Sequence, residues 1–325
     1  MSLISCVGAR IPHGGCPSGP LWTERVAPSS KRWFALAFGS GGLVAAGGSD
    51  PGTTYPCAMY STDYGYTWST SPTSFASLAG YSFVLNCLAY GNGVFLAAIN
   101  AVSMVRSLDG INWSVVPTPA IATIAKLEFG GGIFVAVRSS SSSIYTSPDG
   151  VTWSTRALPA SDTWGGVGYG SNGTWIVTSN TNSARSVDGG VTWSAGGALG
   201  SPSGGCNTLA YGNGVWIGTA NLNENRVRYS LDDGLTWGMT APLTVVGSLV
   251  FERVRFIGGI FYVASVGGLN CFKSSDGINW TSANPLVNMS SFSVEWGSNN
   301  ASPYRYAAVG NAGSSTIVTN YGVCG

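Results

Sequence analysis

Apolar residues along this chain fall in short runs with period-two alternation, separated by glycine-rich turns. That pattern predicts half-buried β-strands and no long helices. One unit recurs: an apolar-x-aromatic strand, a tight turn, then a second apolar strand. Leu88-Ala89-Tyr90-Gly91-Asn92-Gly93-Val94-Phe95-Leu96 and Leu209-Ala210-Tyr211-Gly212-Asn213-Gly214-Val215-Trp216-Ile217 are two copies. Asn-Gly between apolar runs is a strong hairpin signal. The unit begins near Leu36, Leu88, Leu127, Val167, Leu209, Val254 and Val294, seven times in all.

A polar turn of the form Ser/Thr-x-Asp-(x)-Gly-x-Thr/Asn-Trp follows six of these hairpins. Its aspartates are Asp63, Asp109, Asp149, Asp188, Asp232 and Asp276, and its tryptophans are Trp68, Trp113, Trp153, Trp193, Trp237 and Trp280. The aspartates lie 46, 40, 39, 44 and 44 residues apart, the period of a four-stranded propeller blade. The turns of Asp109, Asp149 and Asp276 are one residue shorter than the others. Ser and Asp can bond the backbone of their own turn, and Gly supplies positive φ. The Trp then opens the next strand and packs on the blade. These aspartates are therefore expected to be structural.

Seven hairpins and six turns leave one blade incomplete. Thr316-Ile317-Val318-Thr319-Asn320-Tyr321-Gly322 is a degenerate turn, with Asn320 where Asp is expected. Its missing Trp strand is present near the other end as Leu21-Trp22-Thr23-Glu24-Arg25. The prediction is an all-β, seven-bladed β-propeller of four-stranded antiparallel blades. Its ring is closed by the N-terminal strand completing the C-terminal blade. Residues 1–20 are expected to form an N-terminal arm and residues 21–325 the propeller. Closure removes sheet edges that would otherwise pair with other chains.

Composition narrows the functions. The chain has 325 residues, of which only 9% are charged, and a net charge of +1. Its 12 Arg are scattered, so no basic patch points to nucleic acid or a membrane surface. A hydrophobic content of 44% with 12 Trp argues for a packed core rather than disorder. No run approaches the ~18 apolar residues of a membrane span. Leu3 to Ala9 is apolar but short and lacks a preceding basic residue, so no secretion signal is expected. Leu3-Ile4-Ser5-Cys6 only mimics a lipoprotein box. The seven cysteines match no zinc spacing and read as buried thiols. One pairing stands apart: a disulfide from Cys324 to Cys6 or Cys16 would staple the seam between the chain ends.

With these turns the chain resembles the Asp-box (BNR-type) propellers, which include sialidases, xyloglucan hydrolases, sortilin-type receptors and a photosystem assembly factor. It also resembles propeller modules of tailed-phage structural proteins, where Gly-Asn-Gly hairpins alternate with Ser-x-Asp-Gly-x-Thr-Trp turns. The likeness covers roughly residues 21–325. It is specific for fold and weak for function, because enzymes, receptors and scaffolds share the turn.

Catalytic leads are thin. Arg10-Ile11-Pro12 matches part of the sialidase aromatic-Arg-Ile-Pro motif, but Ala9 replaces the aromatic residue. The next acid, Glu24, falls in the closing strand. Glycoside hydrolysis needs two facing carboxylates, and no acid pair outside the turns sits in a motif. His13 is the only histidine. Asp232-Asp233 offers too few oxygens for calcium. Asn112, Asn172, Asn279 and Asn288 each begin an Asn-x-Ser/Thr pattern that turn composition explains. The inner strands carry a small residue at one place (Ala37, Ala89, Gly168, Ala210), but a charge in three repeats: Glu128, Arg255 and Glu295. Arg255 and Glu295, in neighbouring repeats, are predicted to pair or to approach a central channel together, since buried charge is costly alone.

The expected function is a non-catalytic virion structural or binding module of a tailed bacteriophage: a decoration, tail-tip or fibre-head protein, one candidate role being host-surface contact. No cofactor or metal is expected. Partners would be other virion proteins, engaged through residues 1–20, or a host-surface glycan. The alternatives are a lectin-like propeller or sialidase-like glycosidase, for which Trp33, Tyr64, Tyr66 and Trp164 are candidate sugar-stacking aromatics, and an intracellular assembly scaffold.

Overall fold

A computed structural model describes residues 3–5, 23–25, 32–40, 44–49, 56–63, 65, 67–72, 85–99, 103–116, 124–200, 206–220, 225–244, 251–257, 259–265, 271–283, 292–297, 304–312 and 315–323. Among them there is no α-helix. The chain divides into two compact units, residues 1–118 with 288–325, and residues 119–287.

In the first unit, β1 (Leu3–Ser5) and β2 (Thr23–Arg25) precede β3 (Arg32–Phe38), β4 (Val44–Ser49), β5 (Pro56–Ser61) and β6 (Ser69–Thr70). Strands β3–β6 form one antiparallel meander. A second meander follows, from β7 (Leu85–Gly91), β8 (Val94–Ile99), β9 (Ser103–Ser107) and β10 (Ser114–Val116).

The second unit holds four such sheets. They are β11 (Ile124–Gly130), β12 (Ile133–Arg138), β13 (Ser141–Ser147) and β14 (Ser154–Asp162); β15 (Gly166–Tyr169), β16 (Trp175–Thr178), β17 (Ser183–Ser186) and β18 (Ser194–Ala195); β19 (Cys206–Gly212), β20 (Val215–Ala220), β21 (Arg228–Ser230) and β22 (Gly238–Met239); and β23 (Phe251–Ile257), β24 (Ile260–Ser265), β25 (Cys271–Ser274) and β26 (Thr281–Ala283). The first unit then resumes with β27 (Phe292–Gly297), β28 (Tyr304–Ala312) and β29 (Ser315–Val323). These join β1 and β2 in the order β1-β2-β29-β28-β27. Strand β2 runs antiparallel to β29, with Thr23 opposite Asn320 and Glu24 opposite Thr319.

The repeat seen in sequence becomes a repeat of contacts. In five sheets with described side chains at both positions, the aromatic residue ending the first strand lies directly opposite an aromatic in the second: Tyr90 with Phe95, Phe129 with Phe134, Tyr169 with Trp175, Tyr211 with Trp216, and Phe256 with Phe261. Ring centroids in these pairs are 4.6–5.1 Å apart, a favourable tilted geometry. Glycine in the preceding sheet makes room for several of these rings. A Cβ on Gly130 would enter the Tyr169 ring, and one on Gly212 would enter the Phe256 ring. The large-against-small rule for adjoining sheets thus operates at the hairpin end as well as at Gly168, where a Cβ would meet Leu209 and Trp216.

One local feature has no simple sequence signal. The first strands break register at a common place: between Trp33 and Ala35, Leu85 and Cys87, Ile124 and Lys126, Cys206 and Thr208, and Phe251 and Arg253. An irregularity of this kind bends a strand and increases its twist. Apolar side chains between sheets form the core. One cluster joins Val135, Val137, Trp164, Val167 and Trp175, and another joins Ile217, Val227, Phe251, Val254 and Phe261.

Candidate functional site

Each of the six aspartate turns is closed by its own side chains. In the turn of Asp188, the Ser186 hydroxyl donates to Asp188 Oδ1 at 2.7 Å and accepts from the Gly190 amide at 2.9 Å. Asp188 then accepts from the Val191 and Thr192 amides, and from Thr192 Oγ1 at 2.6 Å. The shorter turn of Asp149 does the same with Ser147, Gly150, Val151 and Thr152. Such donors favour the carboxylate form. The Thr192 hydroxyl and amide, then Ser186, hold Asp188 down to about 2. The Thr152 amide leads in doing the same for Asp149. Asn279 leads in pulling Asp276 lower still. A carboxylate so engaged is a poor proton acceptor at neutral pH.

The tryptophans are turn locks too. Trp68, Trp113, Trp153, Trp193 and Trp280 donate their indole N–H to the carbonyl of the turn glycine, at 3.0–3.3 Å. Trp237 departs from this and donates to Ser183 Oγ in the preceding sheet at 3.2 Å. The turns also grip their neighbours. Gly190 sits against Ile133, Gly234 against Ile176 and Gly277 against Ile217, each on the second strand of the preceding sheet.

Hairpin asparagines add links that sequence reasoning missed. Asn213, with φ of 50°, donates to the carbonyls of Gly259 and Ser275 in the next sheet, at 3.2 and 3.0 Å. At the neighbouring seam, Asn172 donates to Asp233 Oδ1 at 2.6 Å, and Trp216 Nε1 donates to the same oxygen at 3.1 Å. At the other end of the sheets, Asp162 accepts from Ser179 Oγ and Asn182 Nδ2. In sequence, only the extra hairpin residue Ser171 and the second acid Asp233 hint at these contacts.

Other predicted residues divide as follows. Trp164 is only 1% exposed and donates to the Ser141 carbonyl. It is a core residue, which corrects its listing among sugar-stacking aromatics. Tyr64, Tyr66, Trp22, Arg10, His13, Cys6, Cys16 and Cys324 lie outside the described residues, as do the side chains of Trp33, Glu295 and Asn320. The proposed disulfide and the Arg255–Glu295 pair therefore have no described geometry. Arg255 is half-buried and its Nη1 donates to its neighbour's carbonyl, Val254 O; Glu128 is half-buried as well. Cys87, Cys206 and Cys271 are buried thiols. Burial pushes Cys206 up to about 11 and Cys271 up to about 12, which suits inert packing rather than nucleophilic chemistry. Arg228 is buried where other repeats hold Val105, Ala184 or Phe272, and its Nε donates to Leu199 O at 2.9 Å. Among the described residues, no group of three or more His, Cys, Asp or Glu could hold a metal ion, and no helix is long and apolar enough to cross a membrane. The residue between Ser and Asp is exposed and aliphatic in three turns, with Leu108, Val187 and Leu231 each more than 60% accessible.

No protein-family model matches the chain, and no curated protein matches it. Solved structures do. YCF48 bound to D1 peptide is 15% identical, with a TM-score of 0.67 over 92% of this chain and 95% of that one. Virginiamycin B lyase from Staphylococcus aureus with quinupristin is 11% identical, with a TM-score of 0.66 over 90% and 96%. BamB from Moraxella catarrhalis is 12% identical, with a TM-score of 0.58 over 89% and 82%. The chain folds as a β-propeller. At such identities the likeness carries the fold alone: this set of propellers contains a lyase beside a peptide-bound protein.

Proposed function

We propose that this propeller is a non-catalytic structural and binding module of a tailed-phage particle, with seven Asp-box blades in a ring closed by the N-terminal strand. The observation that carries the non-catalytic reading is the commitment of the turn carboxylates. Six of the chain's few acids spend their oxygens on their own turns. The pairing of β2 with β29 supports closure. Side-chain links between sheets make a stiff platform, and the loops it carries are free to vary for contact. The exposed Leu108, Val187 and Leu231 on the turns supply apolar contact points for a neighbouring protein. The phage assignment itself rests on the resemblance of the repeat.

Mass spectrometry of purified particles tests this reading. The chain should be present at a fixed stoichiometry to the major capsid or tail protein, and absence from washed particles would overturn it. Incubation of the purified protein with bacterial surface polysaccharide should release no reducing sugar; release would restore the glycosidase alternative.

A further inference from the structure

The second unit contains one seam built unlike its neighbours. The hairpin between β15 and β16 is one residue longer than the other hairpins of the second unit, with Tyr169 and Trp175 six positions apart instead of five. The following turn, after β21, is of the longer kind and places Asp233 after Asp232. Within the second unit, this is the seam where a lengthened hairpin meets a turn of the longer kind. Asp233 sits at φ of 56°, a conformation in which non-glycine residues are uncommon and worth a functional question.

The lengthened hairpin and the turn meet. Asn172 Nδ2 and Trp216 Nε1 both donate to Asp233 Oδ1, while Oδ2 accepts no hydrogen bond from the described residues. The Asn172 Oδ1 accepts from the Thr174 amide at 3.1 Å, which fixes the amide and leaves its second N–H uncommitted. Gly170 lets the hairpin lie close to the rings beneath: a Cβ there would be 2.9 Å from Trp216 Cζ2 and 3.1 Å from Tyr211 Cγ. The Tyr211 hydroxyl has no hydrogen-bond partner among the described residues, and its ring packs 5.1 Å from Trp216. Burial, and then the charge of Asp233, raise the Tyr211 pKa. The next seam offers no such group, because Asn213 is met there by backbone carbonyls alone.

We propose that Asp233, Tyr211 and Asn172 form a carbohydrate subsite that takes a vicinal diol of a neutral sugar. Asp233 Oδ2 accepts from one hydroxyl, and the Tyr211 hydroxyl and the spare Asn172 N–H serve the other. A carboxylate acceptor, an amide donor and a phenol that can donate or accept together suit a hydroxylated ligand. Asp233 and Asn172 are fixed by hydrogen bonds before the ligand arrives, so little ordering is left for binding to supply. This deepens the reading of the chain as a surface-binding module and rests on it.

A glycan array of neutral and acidic bacterial and mammalian oligosaccharides, probed with purified full-length protein, tests the proposal, followed by titration of the best neutral hit. Asp233→Asn keeps an oxygen for Asn172 and Trp216 and tolerates the same φ, but loses the free acceptor. Tyr211→Phe keeps the ring and loses the hydroxyl. Each should weaken binding at least tenfold, with circular dichroism melts overlaying wild type. Failure of the wild type to bind any neutral glycan would overturn the subsite, as would binding that neither variant changes. Particle composition is scored separately on the unmodified protein, so a failed subsite leaves the virion reading standing, and a protein absent from particles leaves a positive array intact.

Discussion

Replacing Asp188 with Asn isolates what one turn carboxylate contributes, because the amide keeps an oxygen for Ser186, Val191 and Thr192 but cannot titrate. Asp188 falls from an ordinary 3.8 to about 2, chiefly through Thr192 and Ser186. Taken whole, that gap corresponds to about 2.5 kcal/mol. The carboxylate is exposed, however, and solvent screening reduces the expected contribution to about 1 kcal/mol. The sign follows from linkage: the folded-state pKa is depressed, so stabilisation is complete above pH 3.8 and is lost as pH falls through 2. Urea titrations of wild type and Asp188→Asn, followed by tryptophan fluorescence, should differ by about 1 kcal/mol at pH 7 and at pH 5. The difference should shrink below pH 4 and largely vanish by about pH 1.5. A difference that stays constant across this range would refute the reasoning, since the loss would then be steric and not electrostatic.

Three further outcomes follow from the seams. Gly212→Ala drives a methyl into the Phe256 ring and should cost about 2–3 kcal/mol. Gly214→Ala, which meets nothing within 4 Å but holds φ of 79°, should cost about 1 kcal/mol; thermal melts rank the two. Asn213→Asp sets a carboxylate against the carbonyls of Gly259 and Ser275 and should lower stability by about 2 kcal/mol at pH 7, less so at pH 3 where it protonates. Cys206 and Cys271 should resist a thiol-specific disulfide reagent at pH 8 in the native protein, and react fully in denaturant. Fast native labelling of either would contradict their burial.

Strands, hairpins and turns were legible because each depends on residues close in sequence. Period-two alternation marked the strands, Gly-Asn-Gly the hairpins and Ser-x-Asp the turns. Contacts between sheets were harder to see. Asn213 looked complete as a turn residue, since its positive φ accounts for it; nothing local shows that its amide reaches Gly259. Trp164 reads in sequence as a candidate sugar-stacking aromatic, yet it fills the core between two sheets. Arg228 reads as an exposed strand residue by charge, whereas register places it at the buried position of the third strand. The candidate subsite was hidden for a related reason. Asp233 reads as a second acid next to Asp232, and only three dimensions bring it to Asn172, 61 residues earlier.

The second-unit turns that rest on the preceding sheet, and the hairpin asparagines that reach into the following one, make a grammar of recognition between adjacent repeats. Such a grammar lets a repeat be duplicated, exchanged or lengthened by a residue while the others keep their own agreements. Evolution can then invent at one junction and conserve at the rest. The meeting of Asn172 with Asp233 has the form of such an invention, made where a hairpin one residue longer faces a turn of the longer kind.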